Sequence, residues 1–257
     1  MGRWNTCLPP GQFAYDVPLL KKNWPRLHAS DQEAWPQSPQ VLQAWAHLHN
    51  GQLELAYRQG CALGPAGATV ANRAACLYAT QLDPQAPEHQ SLCLAVAERA
   101  EQQLQQDGGN ANAYFLLACA LGRYSQSLSV AKGLAQGLGS RIKGALESAM
   151  ALQPRHADAC FALGSFHADI IDKVGLLIGN MTLGARREVS LEMFERGFAL
   201  QPDSPSGLLD YATALLMLDG EARRDEATTL CARAARLRAL DARSFLEIAA
   251  ARRGLPG

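Results

Sequence analysis

A single spacing recurs along this chain and restricts what it can fold into. It is seen as Ser190-x3-Phe194-x2-Gly197-x4-Pro202, as Ile142-x3-Leu146-x2-Ala149-x4-Pro154 and, with alanine in the last place, as Ala227-x3-Cys231-x2-Ala234-x4-Ala239. Two of the three copies put a large apolar and a small residue on one helical face and end in proline, and the third keeps the spacing with small residues throughout. A complementary spacing precedes or follows these copies in phase: Tyr114-x2-Leu117-Ala118-x2-Leu121, Cys160-x2-Leu163-Gly164-x2-His167 and Leu208-x2-Tyr211-Ala212-x2-Leu215. Small residues at fixed places on two successive helices let the helices approach closely, so the unit is a helical hairpin.

Together the halves are degenerate copies of the two-helix tetratricopeptide signature, W-x2-L-G-x2-Y followed by A-x3-F-x2-A-x4-P. Breaks at Gly51, Pro65-Ala66-Gly67, Asp83-Pro84, Asp107-Gly108-Gly109, Gln153-Pro154, Gln201-Pro202 and Asp219-Gly220 divide the chain into about five pairs: 39–63, 68–106, 111–153, 156–201 and 204–239. A capping helix over 241–253 closes the series. The expected fold is an all-α, tetratricopeptide-like helical-hairpin superhelix. Composition agrees, with alanine and leucine abundant and aromatics at 7%. Near the start, Gly51-x-Leu53-x2-Ala56 has the spacing of a tight turn and the small residue of a second helix.

The spacing also fails informatively. Pro154 and Pro202 are 48 residues apart, against a repeat of about 34, so about 14 residues are inserted between Gly164 and Ser190. The preceding unit is longer by about a dozen residues between Leu121 and Ile142. The two enlarged units, 111–153 and 156–201, are adjacent, and elaborations on a repeat scaffold are where specific sites arise.

Residues 1–38 read as a separate, irregular arm. Pro9, Pro10, Pro18, Pro25 and Pro36 lie within it and Pro39 follows directly, yet Trp4, Phe13, Tyr15, Trp24 and Trp35 lie there too. That much aromatic surface predicts packing on the helical body, or docking on another protein, rather than a disordered tail. The helical domain then runs over 39–257.

Charge and cysteine usage narrow the class. With 24 basic and 24 acidic residues the net charge is zero, which argues against general binding to nucleic acid. Seven cysteines, Cys7, Cys61, Cys76, Cys93, Cys119, Cys160 and Cys231, are scattered without a C-x-x-C pair and read as reduced core residues of a cytoplasmic protein. The first residues lack the apolar run of a signal peptide. They match the short M-G-x-x-x-[ST] acylation pattern through Gly2 and Thr6, with Cys7 nearby. The longest uncharged apolar stretch, Val174 to Ala185, falls short of the roughly 20 residues of a transmembrane segment.

No complete catalytic constellation is present, and no cofactor is expected. Gly137-Leu138-Gly139 opens like a dinucleotide fingerprint, but Ile142 holds the place of the third glycine. His47 and His49 point about 200° apart on a helix and cannot share a metal from it. The informative stretch is the insertion. Its first part continues the preceding helix, and Gly175-x3-Gly179 permits a close helix approach. It is either an overlong helix with a return loop, or an apolar wall of Leu176, Leu177, Ile178, Met181 and Leu183 edged by Lys173, Arg186 and Arg187. As a wall it would hold a partner's side chains or an amphipathic tail beside a carboxylate or anionic head group. His167 lies on the same helix. Among the flanking basic residues Lys143 and Arg123 are the preferred further contacts.

Gly122-Arg123-Tyr124-Ser125, then Lys143-x5-Ala149-x4-Pro154-x-His156, Leu163-Gly164-x2-His167, Ser190-x3-Phe194 and Pro202 resemble the helical domain of the regulator of microtubule dynamics proteins and their bacterial relatives, over about residues 110–203. The chain is less closely similar to the periplasmic T component of TRAP transporters. Either resemblance implies a non-enzymatic binding module with a protein or peptide partner or a lipid-like ligand. The membrane anchor of the first group, and the lipoprotein signal of the second, are not seen in this sequence. The expectation is therefore a scaffold presenting a concave groove, with a carrier of a small amphipathic ligand as the alternative.

Overall fold

The computed structural model describes Trp4, Leu8 and residues 11–254. The acylation pattern at Gly2, Thr6 and Cys7 lies outside them. Regular structure among the described residues is helical throughout, with no strand.

Several helices begin where a side chain supplies a cap. In α1 (Val17–Leu27) the Asp16 carboxylate accepts the Leu19 N–H at 2.8 Å, and in α2 (Pro39–His49) Ser38 caps Val41. Both carry proline in the first turn, where a missing N–H leaves no bond unmade. Next come α3 (Leu53–Ala62), α4 (Ala68–Ala79), α5 (Pro87–Gln106) and α6 (Ala111–Gln126), the last capped by Asn110, which accepts the Ala113 N–H at 2.9 Å. A short α7 (Val130–Ala135) occupies the enlargement before α8 (Leu138–Leu152). In the second half stand α9 (Ala157–Val174), α10 (Leu176–Leu183), α11 (Arg187–Leu200), α12 (Pro205–Asp219), α13 (Arg224–Arg236) and α14 (Ala242–Arg253).

Five antiparallel partnerships follow, α2 with α3, α4 with α5, α6 with α8, α9 with α11 and α12 with α13, and α14 ends the series. The paired-helix fold read from the sequence is the fold observed.

The arm differs from its expected irregularity. Residues 17–27 are helical because Pro18 sits in the first turn and Pro25 in the last. Pro25 leaves unmade only the bond to the carbonyl of Lys21, an exposed residue. Trp24 of α1 is buried, its indole N–H donating to the Glu33 carbonyl at 2.8 Å. Tyr15 and Asn50 exchange two hydrogen bonds, at 2.7 and 2.9 Å.

The chain forms two compact units, neither bounded at residue 38. Unit 1 comprises residues 1–28, 32–152 and 241–243; unit 2 comprises 29–31, 153–240 and 244–257. In unit 1, edge-on aromatic contacts join Trp24 to Trp35 and Trp45. In unit 2 the core centres on Phe161 and Phe194, each at most 2% exposed, with Phe198 and Tyr211 against them. Here small residues are obligatory. A Cβ on Gly164 would lie 2.8 Å from the Phe194 ring, and one on Gly207 2.6 Å from the Phe161 ring, which Gly197 covers from α11.

No helix among the described residues is long and apolar enough to cross a membrane.

Candidate functional site

Six of the eight residues singled out by sequence lie on the α9–α11 insertion of unit 2. α9 runs on to Val174 and breaks at Gly175, whose φ of +81° suits glycine and turns the chain at once into α10. Gly179 lets α10 settle against α9, where a Cβ would stand 3.1 Å from Ile170. The return is thus itself a helix rather than a loop. Its sequence, LLIGNMTL, is apolar nearly all round, and only a narrow strip finds cover. Leu176 and Ile178 are each 54% exposed, Leu177 74% and Met181 80%. Four large apolar side chains side by side in water are uncommon on a surface with no other purpose.

The basic edge divides in two. Arg186 is exposed, and no ion pair involves it among the described residues. Lys173 pairs with Asp169 at 2.8 Å, one turn back on α9. Arg187 grips Asp219 with two bonds, Nε to Oδ1 at 3.0 Å and Nη2 to Oδ2 at 2.8 Å, and Arg223 reaches the same carboxylate. The Arg187 guanidinium holds the Asp219 carboxyl below its usual range. Arg187 therefore fastens the start of α11 to the end of α12. His167 is buried, and its Nδ1 accepts the Arg186 backbone N–H at 3.3 Å. It shapes the exit of the insertion and does not reach its surface.

Arg123 and Lys143 belong to unit 1. Lys143 on α8 is half-buried and 3.8 Å from Glu147. The charge of Arg123, in the last turn of α6, acts to lower the pKa of the Cys76 and Cys93 thiols and of the His89 ring. The His89 ring is buried, Nδ1 lacks a partner among the described residues, and desolvation first, then Arg123, lowers its pKa. Burial pushes Cys76 and Cys93 up to about 11, so thiolate is scarce at neutral pH. The described cysteines, all but Cys7, are free thiols.

Sequence reading missed the polar interior of unit 1. Arg73 and Asn72, both buried, stand in the alanine-rich run of α4. Arg73 lies over the Phe115 ring and donates to Asn112, which donates in turn to Glu33. Arg99 of α5 bonds Asn72 and the Tyr57 hydroxyl. An adjacent charged and amide residue inside an apolar run was the signal available. A second group joins His49, whose Nδ1 meets Asp241 at 2.7 Å and whose Nε2 meets His28 Nε2 at 3.2 Å. With its carboxylate and ring partners His49 is a satisfied core histidine, whereas His47 is half-buried and bonds Gln52. Among the described residues no cluster of three or more metal-ligating side chains occurs.

No family model matches this chain, and no curated protein does either. Among solved structures it is similar to a thermophilic TPR (tetratricopeptide-repeat) protein from Thermus thermophilus, at 18% identity and a TM-score of 0.55, over 82% of this chain and 94% of that one. The likeness carries the tetratricopeptide-like fold, and neither of the two families resembled in sequence.

Proposed function

We propose that this chain is a non-enzymatic interaction module that binds a peptide or partner protein through the surface raised by α10, with Arg186 at its edge and Lys173 beside it. One observation carries the reading: Leu176, Leu177, Ile178 and Met181 are more than half exposed on a helix that the paired-helix plan does not require. A repeat scaffold of this fold class is in general a holder of protein partners, and an outward apolar helix with a cationic rim suits a partner's apolar anchors and carboxylates. Lys143 and Arg123 are proposed as further contacts on unit 1. Free thiols throughout the described chain fit a reducing, cytoplasmic setting. The carrier alternative is disfavoured by the outward exposure of Leu177 and Met181, since a lipid-like tail needs an enclosed wall.

The test compares affinity capture by the wild-type chain with capture by Leu177→Asp, Met181→Asp and Arg186→Glu, each with its melting temperature measured. Partners lost by all three variants at unchanged stability support the assignment; partners retained by all three remove it. Native mass spectrometry of the gently purified protein tests the carrier, which would show a copurifying lipid.

A further inference from the structure

Trp4 lies far outside the helical pairs in sequence, yet it is 7% exposed. Its indole stacks on Tyr78 of α4 with ring centroids 4.1 Å apart and planes within 2°, and on Tyr57 of α3 at 5.0 Å. Arg99 stiffens the slot, bonding the Tyr57 hydroxyl at 3.2 Å and lying over its ring. The Trp4 backbone N–H donates to the Glu54 carboxylate at 3.1 Å. Four residues on, the Leu8 side chain covers the Gly51 turn. Further along the arm, Tyr15 is tied to the body through Asn50.

These contacts have the form of peptide recognition: an aromatic anchor stacked on two rings, a carboxylate reading a backbone N–H, and an apolar foothold for the residue four places along. We propose that the Tyr57–Tyr78 slot and the neighbouring Gly51 turn form a binding site for a tryptophan-anchored peptide of the pattern Trp-x3-Leu, and that Trp4 and Leu8 of this chain occupy it in cis as a plug that such a peptide must displace. The assignment stands independently of the α10 surface, which lies in the other unit.

Tethering sets the size of the effect. A short tether gives an effective concentration of about 1 mM, so a peptide of Kd about 50 μM would be weakened ~20-fold by the plug. The probe is a fluorescein-labelled peptide of residues 1–10 carrying Cys7→Ser, followed by anisotropy. The full-length Trp4→Ala/Leu8→Ala chain, its slot vacated, is expected to bind the peptide saturably, and the wild-type chain at least 10-fold more weakly. Adding Tyr78→Ala to the vacated chain is expected to abolish binding, while Tyr78→Phe, which keeps the ring, retains it; far-UV circular dichroism monitors the fold in each. The proposal is overturned if the vacated chain does not bind, if the wild type binds equally well, or if Tyr78→Ala binds like Tyr78→Phe.

Discussion

Adding one carbon to Gly164 tests the packing of unit 2 at its tightest point. The new Cβ would stand 2.8 and 2.9 Å from two carbons of the Phe194 ring and 3.0 Å from the Ser190 carbonyl oxygen. Neither neighbour can yield cheaply. Phe194 is fully buried, with Tyr211 at 4.8 Å on one side, and the Ser190 backbone is held where its hydroxyl donates to the Gly164 carbonyl at 2.7 Å. Gly164→Ala must therefore separate α9 from α11 by some tenths of an ångström, an overpacking cost of about 1–3 kcal/mol. Replacing a mid-helix glycine returns about 0.5–1 kcal/mol of backbone entropy, so the net loss has a central value of about 1 kcal/mol within a range of about 0–2.5 kcal/mol. Gly144 on α8 is the control, because a Cβ there meets nothing within 4 Å. Gly144→Ala should stabilise by about 0.5–1 kcal/mol. At about 2–4 °C per kcal/mol for a chain of this size, thermal melts followed at 222 nm should move in opposite directions for the two variants. Equal shifts, or a Gly164→Ala chain at least as stable as wild type, would refute the close approach of α9 and α11.

The remaining predictions concern the other named contacts. His89 has a folded pKa below its ordinary 6.5 because of burial, then Arg123. The unfolded chain therefore takes up a proton first on acidification: the site's full stability is present above about pH 6.5 and declines as pH falls toward the folded value. Urea titrations between pH 5 and 8 should show that slope, and Arg123→Gln should flatten it; an identical slope would exclude the Arg123–His89 coupling. Asp241→Asn weakens the acceptor facing buried His49, and a loss of about 1–3 kcal/mol is expected; a melt unchanged within error would contradict the contact. The half-exposed Arg187–Asp219 pair should show a coupling of about 0.5–1 kcal/mol in a double-mutant cycle, falling as salt is raised.

The hairpins were legible because their signals are local. Proline after the second helix, phenylalanine at Phe194 and a small residue at Gly164 follow from the contacts two packed helices must make, and the same spacing recurs in degenerate form at Leu146, Ala149 and Pro154. What was missed has no such periodicity. α10 is apolar on nearly every side, so its eight residues read equally as wall or loop. α1 was hidden by counting prolines without their positions, although Pro18 and Pro25 sit where a helix tolerates them. Tyr57 and Tyr78 carry no mutual signal in sequence, since only the packing of α3 on α4 brings both rings against Trp4. The same holds for His49 and Asp241, which are 192 residues apart. Of the eight residues picked for the site, six lie close together along the chain, on the α9–α11 insertion, while Arg123 and Lys143 lie in the other unit. The structural duties of His167 and Arg187 depend on partners that sequence could not supply.

Hydrogen exchange on a purified complex asks the central question most directly. With a captured partner bound, amides of residues 175–184 should exchange markedly more slowly than in the chain alone, while the buried core around Phe161 and Phe194 stays as it was. Unchanged exchange over that stretch, with protection elsewhere, would show that α10 is not where the partner sits.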